Sequence, residues 1–493
     1  MREDYVKLVK EQILSNPDYK YTINELKTTL LSYGVTQQEF DQALEELTDP
    51  SLTPSIESPM LEQDNNKRNN INDKFIPFLK QAMILNAITI LFIFLGGLFF
   101  VFWVYFDNKT NNSASGVATS INIKRQNSLA TQVYANTIPI DSKRIFSYPT
   151  SNVTLTITGT PRKEVLGFLP YWMLPSQNQI SLNGITSVAL FGLDTDANGN
   201  IVTVQSNGTA DGGWTMWNSP LLNTFINRAK ARKIKIELTL KCFSNKDIEK
   251  LINSNTAQET FISNAIQLID SKSLDGINID FEYVGTPNPG VRDAFTRFII
   301  NLNTALKRQL PNAILTVDSY INSAATPGIF DIPEVAKNVN AIVIMGYDMH
   351  TPLGSPGPIA PMEGNISIIG YMQAYLEEVS PEKLILAVPY YGYDWTVGSA
   401  NPKPAQVLPY AQIIATSKND TIQWNDTSQT PWYSYVDPAT NITHNVYFEN
   451  TRSLGIKYDY VNRKNLKGIG IWALGYDGLN ADLRELILEK FAD

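Results

Sequence analysis

Two hydrophobic patterns alternate along the chain from residue 162 to its end. Short runs rich in Ile, Val, Leu and Phe are followed by longer segments whose apolar residues recur every three or four positions. Such runs are typical of buried strands and the longer segments of amphipathic helices, so their alternation predicts a parallel α/β fold. Helices are predicted at 221–231, 261–269, 291–310 and 371–379. Eight strands are predicted, the number in a closed barrel: 165–168, 187–191, 234–240, 276–281, 314–317, 341–345, 384–388 and 468–472.

The longest interruption of this alternation lies between the seventh and eighth predicted strands. Residues 394–446 are rich in Pro, Asn, Thr and Trp and are too long for a simple crossover helix. They predict a small inserted α+β subdomain. The fold class predicted for residues 162–493 is therefore α/β, a TIM (β/α)8 barrel with an α+β insertion between strands seven and eight.

Three further segments of different character precede the barrel. Residues 1–48 are polar, with apolar positions at helical spacing, and predict a small helical module on the cytoplasmic side. Residues 49–80 form a linker rich in Pro, Ser, Asn and charged residues, and residues 107–160 form an extracellular tether rich in Asn, Ser and Thr. The pattern of the helical module specifies no chemistry or partner of its own.

Residues 81–106 predict one transmembrane helix. These twenty-six residues include no Asp, Glu, Lys or Arg, and Trp103, Tyr105 and Phe106 cluster at one end as interfacial aromatic residues do. Basic residues are denser before the span than after it, which predicts a cytoplasmic N-terminus and an extracellular barrel. Within about fifteen residues of the span they are Lys67, Arg68, Lys74 and Lys80 on one side and Lys109 on the other.

The composition argues against several classes of function. The net charge of −8 and the pI near 5.1 provide no basic face for nucleic acid. The single cysteine, Cys242, cannot form an intrachain disulfide and lies in an apolar run, where a buried thiol is expected. The two histidines, His350 and His444, are too few for a histidine metal cluster and argue against Ser-His-Asp catalysis. No metal and no cofactor are therefore expected, and the chemistry is left to carboxylate, Tyr and Trp side chains.

The most informative segment is 274–283, where polar and apolar residues alternate. Asn278, Asp280 and Glu282 are separated by single apolar residues, so a strand would direct all three to one face. Buried carboxylates are costly unless they are paired or used, and barrel active sites lie at the carboxyl ends of strands. The pattern predicts a strand end that carries a general acid. The alternative is a solvated edge strand with its polar residues outward.

This segment also resembles a known signature. Asp-Gly-Ile-Asn-Ile-Asp-Phe-Glu at 275–282 is similar to the Asp-Gly-x-Asp-x-Asp-x-Glu motif of family 18 glycoside hydrolases, the chitinase-like enzymes. Met-Gly-Tyr-Asp at 345–348, Ile-Gly-Ile-Trp at 469–472 and the first-strand segment 165–172 resemble further motifs of that family. The resemblance covers about residues 162–493 and is strongest to bacterial peptidoglycan- and spore-cortex-lytic members. It implies a TIM barrel whose insertion forms one wall of the substrate cleft.

Two positions depart from the family pattern. Asn278 stands where most members have Asp, so it keeps a hydrogen-bonding group but no charge. The Ser-x-Gly-Gly that usually follows the third strand is replaced by Leu-Lys-Cys-Phe-Ser at 240–244. We expect an active enzyme with a shifted pH profile, because Asp280 and Glu282 are both present.

The resemblance also implies roles for the polar strand-end residues. Glu282 would be the general acid, Asp280 would orient the acetamido N–H of the substrate, and Tyr347 would hydrogen-bond the acetamido oxygen. That oxygen would attack the anomeric carbon in a substrate-assisted, retaining mechanism, which requires an N-acetyl group at C2 of the sugar. Trp472 would form the floor for the sugar; its alternative role is a barrel-core side chain. The implied substrate-binding residues are Asn278, Asp348, Trp472, Tyr171 and Tyr391.

The leading hypothesis is a membrane-anchored glycosidase that acts outside the cell. Its substrate would be a β-linked polysaccharide containing N-acetylglucosamine, with chitin, peptidoglycan and N-glycan cores left open. The first alternative is a catalytically silent carbohydrate-binding protein on the same barrel, which the presence of Glu282 disfavours. The second is a signalling role centred on residues 1–48, with the barrel as an external sensor.

Overall fold

The computed structural model describes most of the C-terminal two thirds of the chain. The described residues are 158–492, apart from 327, 399–403 and 418–419. The predicted helical module, linker and transmembrane helix, and nearly all of the predicted tether, therefore lie outside them. None of the helices in the described part is both long enough and apolar enough to cross a bilayer.

Thirteen strands and ten α-helices form within the described residues. The strands are β1 (Glu164–Pro170), β2 (Ser187–Asp194), β3 (Lys235–Cys242), β4 (Gly276–Phe281), β5 (Ile314–Tyr320), β6 (Ala341–Met345), β7 (Leu384–Pro389), β8 (Tyr391–Val397), β9 (Gln406–Pro409), β10 (Gln423–Asn425), β11 (Thr430–Val436), β12 (Thr443–Tyr447) and β13 (Gly468–Trp472). The helices are α1 (Gly212–Trp217), α2 (Pro220–Lys230), α3 (Asn245–Asn253), α4 (Asn255–Ser271), α5 (Val291–Gln309), α6 (Ile332–Asn338), α7 (Ile368–Glu378), α8 (Tyr410–Thr416), α9 (Thr451–Arg463) and α10 (Asp482–Phe491).

Eight of these strands close into a parallel barrel. Its order is β1-β2-β3-β4-β5-β6-β7-β13, and β13 pairs back with β1. The predicted eight-stranded barrel is confirmed, and each predicted strand overlaps one barrel strand. The strands read as nearly continuous apolar runs because the outer helices bury one face and the packed interior buries the other.

The packing outside β4 fixes which side chains of that strand face the interior. Phe281 points away from the interior and stacks on Phe298 of α5, with ring centroids 5.6 Å apart, while Phe261 of α4 packs edge-on against it at 5.8 Å. Side chains alternate along a strand, so Asp280 and Glu282 on either side of Phe281 must face inward. A one-residue slip would bury both carboxylates among phenylalanines, which the hydrophobic effect opposes strongly.

A second sheet occupies the connection between β7 and β13, where the insertion was predicted. It has five strands in the order β10-β11-β12-β8-β9, with all neighbours antiparallel. Together with α8 it encloses a small apolar cluster of its own, made of Leu408, Ile413, Tyr433, Val446 and Phe448. Because β8 starts two residues after β7 ends, the insertion rises directly from the carboxyl end of the barrel.

Candidate active site

Glu282 lies at the carboxyl end of β4 and is almost completely buried. Its side chain is 3% exposed, and its backbone N–H donates to the Cys242 carbonyl at 3.0 Å, which extends the β3–β4 pairing by one residue. The Tyr320 hydroxyl, at the end of β5, donates to the Glu282 Oε2 at 3.1 Å. A carboxyl group in this position is held by the scaffold and can deliver a proton to a substrate above the barrel.

Asp280 lies one step deeper on the same interior face of β4. The strand repeat places it about 6–7 Å from Glu282 along the strand. It is 3% exposed, and its Oδ1 has no hydrogen-bond partner among the described residues. Burial raises the pKa of Asp280 to about 7, the nearby Lys241 ammonium opposes this rise, and Asp194 adds to it. The unpaired, buried oxygen is available to accept a hydrogen bond from substrate.

Asn278 closes the interior beneath Asp280 and is fully buried. Its Oδ1 accepts from the Thr239 hydroxyl at 2.9 Å. Its Nδ2 donates to the Thr316 Oγ1 at 3.0 Å and to the Asp318 Oδ1 at 2.7 Å. Burial, with Asp280 as the next cause, raises the pKa of Asp318 well above its usual value. Both polar atoms of the Asn278 amide are therefore hydrogen-bonded, and its nitrogen donates to two side chains of β5.

The next deeper layer is also polar and buried. The Thr316 hydroxyl donates to the Glu237 Oε2 at 2.6 Å, and burial raises the pKa of Glu237 to about 8. Around and below Asn278 the interior therefore contains a column of carboxyl and hydroxyl groups, in which Glu237 and Asp318 are largely uncharged near neutral pH. Such a column carries few full charges into the core beneath the mouth.

Tyr347 and Asp348 follow β6. Tyr347 is half-buried; burial, followed by the Asp318 and Asp348 carboxylates, raises its pKa well above the usual range. Asp348 has a φ of +59°, in the left-handed region that few non-glycine residues adopt. Its Oδ1 accepts from the Tyr393 hydroxyl at 2.7 Å and from the Tyr391 hydroxyl. Asp348 therefore ties the first strand of the insertion to the barrel.

Tyr391 was predicted to contact substrate, and the structure places its ring below the surface. The ring is 1% exposed and lies 6.1 Å from Tyr347, centroid to centroid. Burial raises the pKa of Asp348 to about 6, while the two tyrosine hydrogen bonds oppose the rise. This placement suits a role in orienting Tyr347 and the insertion. A direct contact of Tyr391 or Asp348 with substrate stays a prediction.

Trp472 ends β13 and lies within a group of aromatic rings. Its ring centroid is 4.7 Å from Phe191, 5.7 Å from Phe168 and 6.4 Å from Trp172. Trp472 and Trp172 are both half-buried, so part of each indole faces the barrel mouth. Tyr171 contacts Trp172 edge-on, with ring centroids 5.0 Å apart. A partly exposed indole suits stacking on a pyranose ring.

Four residues of the site were missed by the sequence reasoning. Asp318 and Tyr320 continue the alternation that begins at Thr316, so the fifth strand extends beyond its predicted end at 317. Lys241 follows Thr239 by two residues and therefore shares its inward face. Asp194, at the end of β2, forms an ion pair with the Lys241 ammonium. Period-two continuation past the predicted strand ends could have identified Asp318, Tyr320 and Lys241. Asp194 follows an irregularity in the β2–β3 register, which breaks the period and hides this residue from the sequence pattern.

The two histidines and the cysteine have other surroundings. His350 contacts the Ser355 carbonyl at 3.0 Å, and His444 contacts Asp394 at 2.8 Å on the insertion. Cys242 is 4% exposed, and burial raises the pKa of its thiol to about 12. Within the described residues, no cluster of three or more His, Cys, Asp or Glu side chains is arranged to hold a metal ion.

Similarity to known proteins agrees with this geometry. The chain is 28% identical over 231 residues to the cortical fragment-lytic enzyme of Bacillus subtilis, which covers 46% of this chain and 52% of that enzyme. It is 25% identical over 246 residues to the di-N-acetylchitobiase of Mus musculus, covering 45% and 67% of the two chains. The chain spans about half the length of the cortical fragment-lytic enzymes that it matches.

A solved structure and a family model extend the comparison. The family 18 chitinase of Cycas revoluta, solved in complex with (GlcNAc)3, superposes with a TM-score of 0.57 at 18% identity, covering 66% of this chain and 99% of that one. At this identity the likeness concerns the fold. Residues 102–477, well over half of the chain, match the model of glycosyl hydrolases family 18. The protein therefore belongs to family 18 of the glycosyl hydrolases.

Proposed function

We propose that this protein hydrolyses β-linked polysaccharides that contain N-acetylglucosamine, with Glu282 as the general acid. The observation that carries the proposal is the pair of inward carboxyl groups at the end of β4. Glu282 is fixed by Tyr320, and Asp280 keeps one buried oxygen without a hydrogen-bond partner among the described residues. A general acid needs a scaffold that holds it at the bond to be cleaved, and the second carboxylate needs a free acceptor.

The proposed mechanism is retaining and substrate-assisted. The 2-acetamido carbonyl oxygen attacks the anomeric carbon as Glu282 protonates the departing glycosidic oxygen, and a cyclic oxazolinium forms. Asp280 accepts a hydrogen bond from the acetamido N–H, and Tyr347 donates one to its oxygen. Water then attacks the anomeric carbon from the face that the leaving group vacated and opens the oxazolinium ring, with Glu282 as the base. The partly exposed Trp472 side chain supports the sugar at the cleavage position.

The substrate class follows from the mechanism and from the relatives. An acetamido nucleophile requires an N-acetyl group at C2, so chitin and peptidoglycan glycan strands both qualify. One relative is named a cortical fragment-lytic enzyme and another a di-N-acetylchitobiase, which supports both candidates. Polymers of this kind are mostly material of the cell surface.

We also propose that the catalytic barrel lies outside the cell and is anchored by residues 81–106. The support is the uncharged length of that segment and the excess of basic residues before it. A reporter active only in the cytoplasm, fused after residue 493, should be silent. Protease added to intact protoplasts should remove the barrel. A barrel that stays protected until the cells are permeabilised would contradict this topology.

The central experiment compares two substrates in parallel. The full-length chain is incubated with a fluorogenic chitobioside and with purified peptidoglycan, whose products are identified by mass spectrometry. Proton NMR of the first product should show the β-anomer, because the retaining route preserves configuration. Glu282→Gln serves as the matched inactive control. Oligosaccharide binding without hydrolysis of either substrate would favour the silent carbohydrate-binding protein instead.

A further inference from the structure

Three charged side chains lie side by side at the barrel mouth. In the strand register, Asp194 of β2 is opposite Lys241 of β3, and Lys241 is opposite Asp280 of β4. One layer deeper, the Thr239 hydroxyl donates to the Asn278 Oδ1 across the same two strands at 2.9 Å. Residues two positions apart on a strand share a face, so Lys241 and Asp280 both face the interior. We refer to Asp194, Lys241 and Asp280 as the charged row.

The ammonium of Lys241 is held in place from several sides. Lys241 is 6% exposed and forms an ion pair with Asp194. Its Nζ also lies 5.8 Å from the Phe191 ring centroid and 5.2 Å from that of Phe243. A buried ammonium is retained only where a counter-charge compensates its desolvation, and aromatic faces add to that compensation. The position of this cation is therefore fixed before any substrate arrives.

The other surroundings of Asp280 give it little electrostatic support. Asn278, two residues earlier on the same strand, is neutral, and its amide is engaged by Thr239, Thr316 and Asp318. Among the described residues, Lys241 is the one cation that acts on Asp280, and every other titratable neighbour is acidic or phenolic. The titratable groups around Asp280 are Asp194, Lys241, Glu282, Asp318, Tyr320 and Tyr347.

We propose that Lys241 is a positioning residue of this active site, the counter-ion that keeps Asp280 a carboxylate ready to accept the acetamido N–H. Asp194 sets where that ammonium sits. The two departures from the family pattern then act on Asp280 in the same direction. Asn278 lacks the negative charge that an Asp would place beneath Asp280, and Lys241 adds a positive charge beside it from β3. This inference rests on the proposed function, in which Asp280 acts as a hydrogen-bond acceptor.

The charged row predicts that two substitutions shift the acid limb of kcat/KM in opposite directions. In Lys241→Met the cation is lost, Asp280 binds its proton more tightly, and the acid limb of kcat/KM should move to higher pH. In Asp194→Asn an anion is lost while the cation remains, so the acid limb should move to lower pH. Each shift should be about one pH unit, the size expected from a neighbouring charge in a buried site. A purely structural role for Lys241 would lower activity without opposite shifts.

Two further measurements keep the test decisive. Lys241→Arg keeps the charge and should retain the wild-type acid limb even if kcat falls. The second is 13C NMR of the full-length chain labelled at Asp carboxyl carbons, in which the Asp280 signal is the one absent from Asp280→Asn. The titration midpoint of this signal should move to higher pH in Lys241→Met and to lower pH in Asp194→Asn. Shifts in the same direction, or no shift in variants that keep the wild-type melting temperature, would overturn the proposal.

The NMR titration also separates this inference from the proposed function. It needs no turnover, so it reports on the charged row even if the wild-type chain hydrolyses neither substrate. A silent enzyme with opposite Asp280 shifts would reject the proposed function and leave the electrostatic role of Lys241 standing. An active enzyme in which the Asp280 titration does not move would support the proposed function and reject the electrostatic role of Lys241.

Discussion

The two sides of the barrel mouth are built on opposite physical principles. On the side of β3, β4 and β5, buried polar groups are fixed by short hydrogen bonds, and burial raises the pKa values of Asp280 and Asp318. On the side of β1, β2 and β13, aromatic rings pack edge to face around Trp472. We call these the acidic side and the aromatic side.

The difference separates chemistry from binding. On the acidic side each interaction is directional, so moving one group disturbs its neighbours in the network. On the aromatic side the contacts are dispersive and tolerant of direction, which suits the apolar face of a sugar. We therefore expect substitutions on the acidic side to change kcat and pH dependence, and substitutions on the aromatic side to change KM.

The largest effect is expected for Glu282→Gln. The amide has the same shape but cannot donate the proton, so kcat should fall by about 10²-fold or more while oligosaccharide affinity is nearly unchanged. Steady-state kinetics and isothermal titration with a chitin oligosaccharide measure the two quantities. Retention of more than about a tenth of wild-type kcat would show that another group is the acid.

Trp472→Ala should have the next largest effect, on the aromatic side. Loss of the stacking face should raise KM by about tenfold, equivalent to about 1.4 kcal/mol, with a smaller change in kcat. Trp424→Ala is the matched control, because Trp424 lies on β10 of the insertion under the Arg452 guanidinium. An equal loss of affinity in both variants would remove the distinction between the two sides.

Asn278→Asp should alter the pH profile while activity is retained. The new carboxyl group would adjoin Asp318 and lie beneath Asp280, so its ionisation adds negative charge to the acidic side. The Asp280 pKa, already near 7, should rise further, and the acid limb of kcat/KM should move to higher pH. A profile that superimposes on the wild type would mean that position 278 has no electrostatic effect on catalysis.

The smallest expected effect concerns the junction with the insertion. Tyr393→Phe removes one hydrogen bond to the buried Asp348 and should cost about 1 kcal/mol of unfolding free energy. Tyr371→Phe is the control. The Tyr371 hydroxyl is buried without a hydrogen-bond partner in the part of the chain that the structure describes, so its removal should be neutral or slightly stabilising. Urea denaturation of both variants measures the difference. Equal stabilities would mean that Asp348 does not hold the insertion through Tyr393.

The sequence by itself determined the fold class and the inward face of β4. The eight apolar runs sit where the barrel strands are, because parallel strands covered on both faces are mostly apolar. The alternation around Phe281 was enough to direct Asp280 and Glu282 to one side, since side-chain direction along a strand has a fixed period of two. These are local properties that a sequence pattern carries directly.

Only the tertiary structure decided which residues of different strands meet. The register between β2, β3 and β4 brings Asp194 and Lys241 beside Asp280, and β5 brings Asp318 and Tyr320 to the same mouth. The start of β8 directly after β7 also places Tyr391 beneath the surface, where its hydroxyl donates to Asp348. Barrel closure and strand stagger set these neighbours, and both depend on contacts between segments far apart in the chain. The residue pattern along the sequence encodes periodicity, whereas the electrostatics of the site arise from the register between strands.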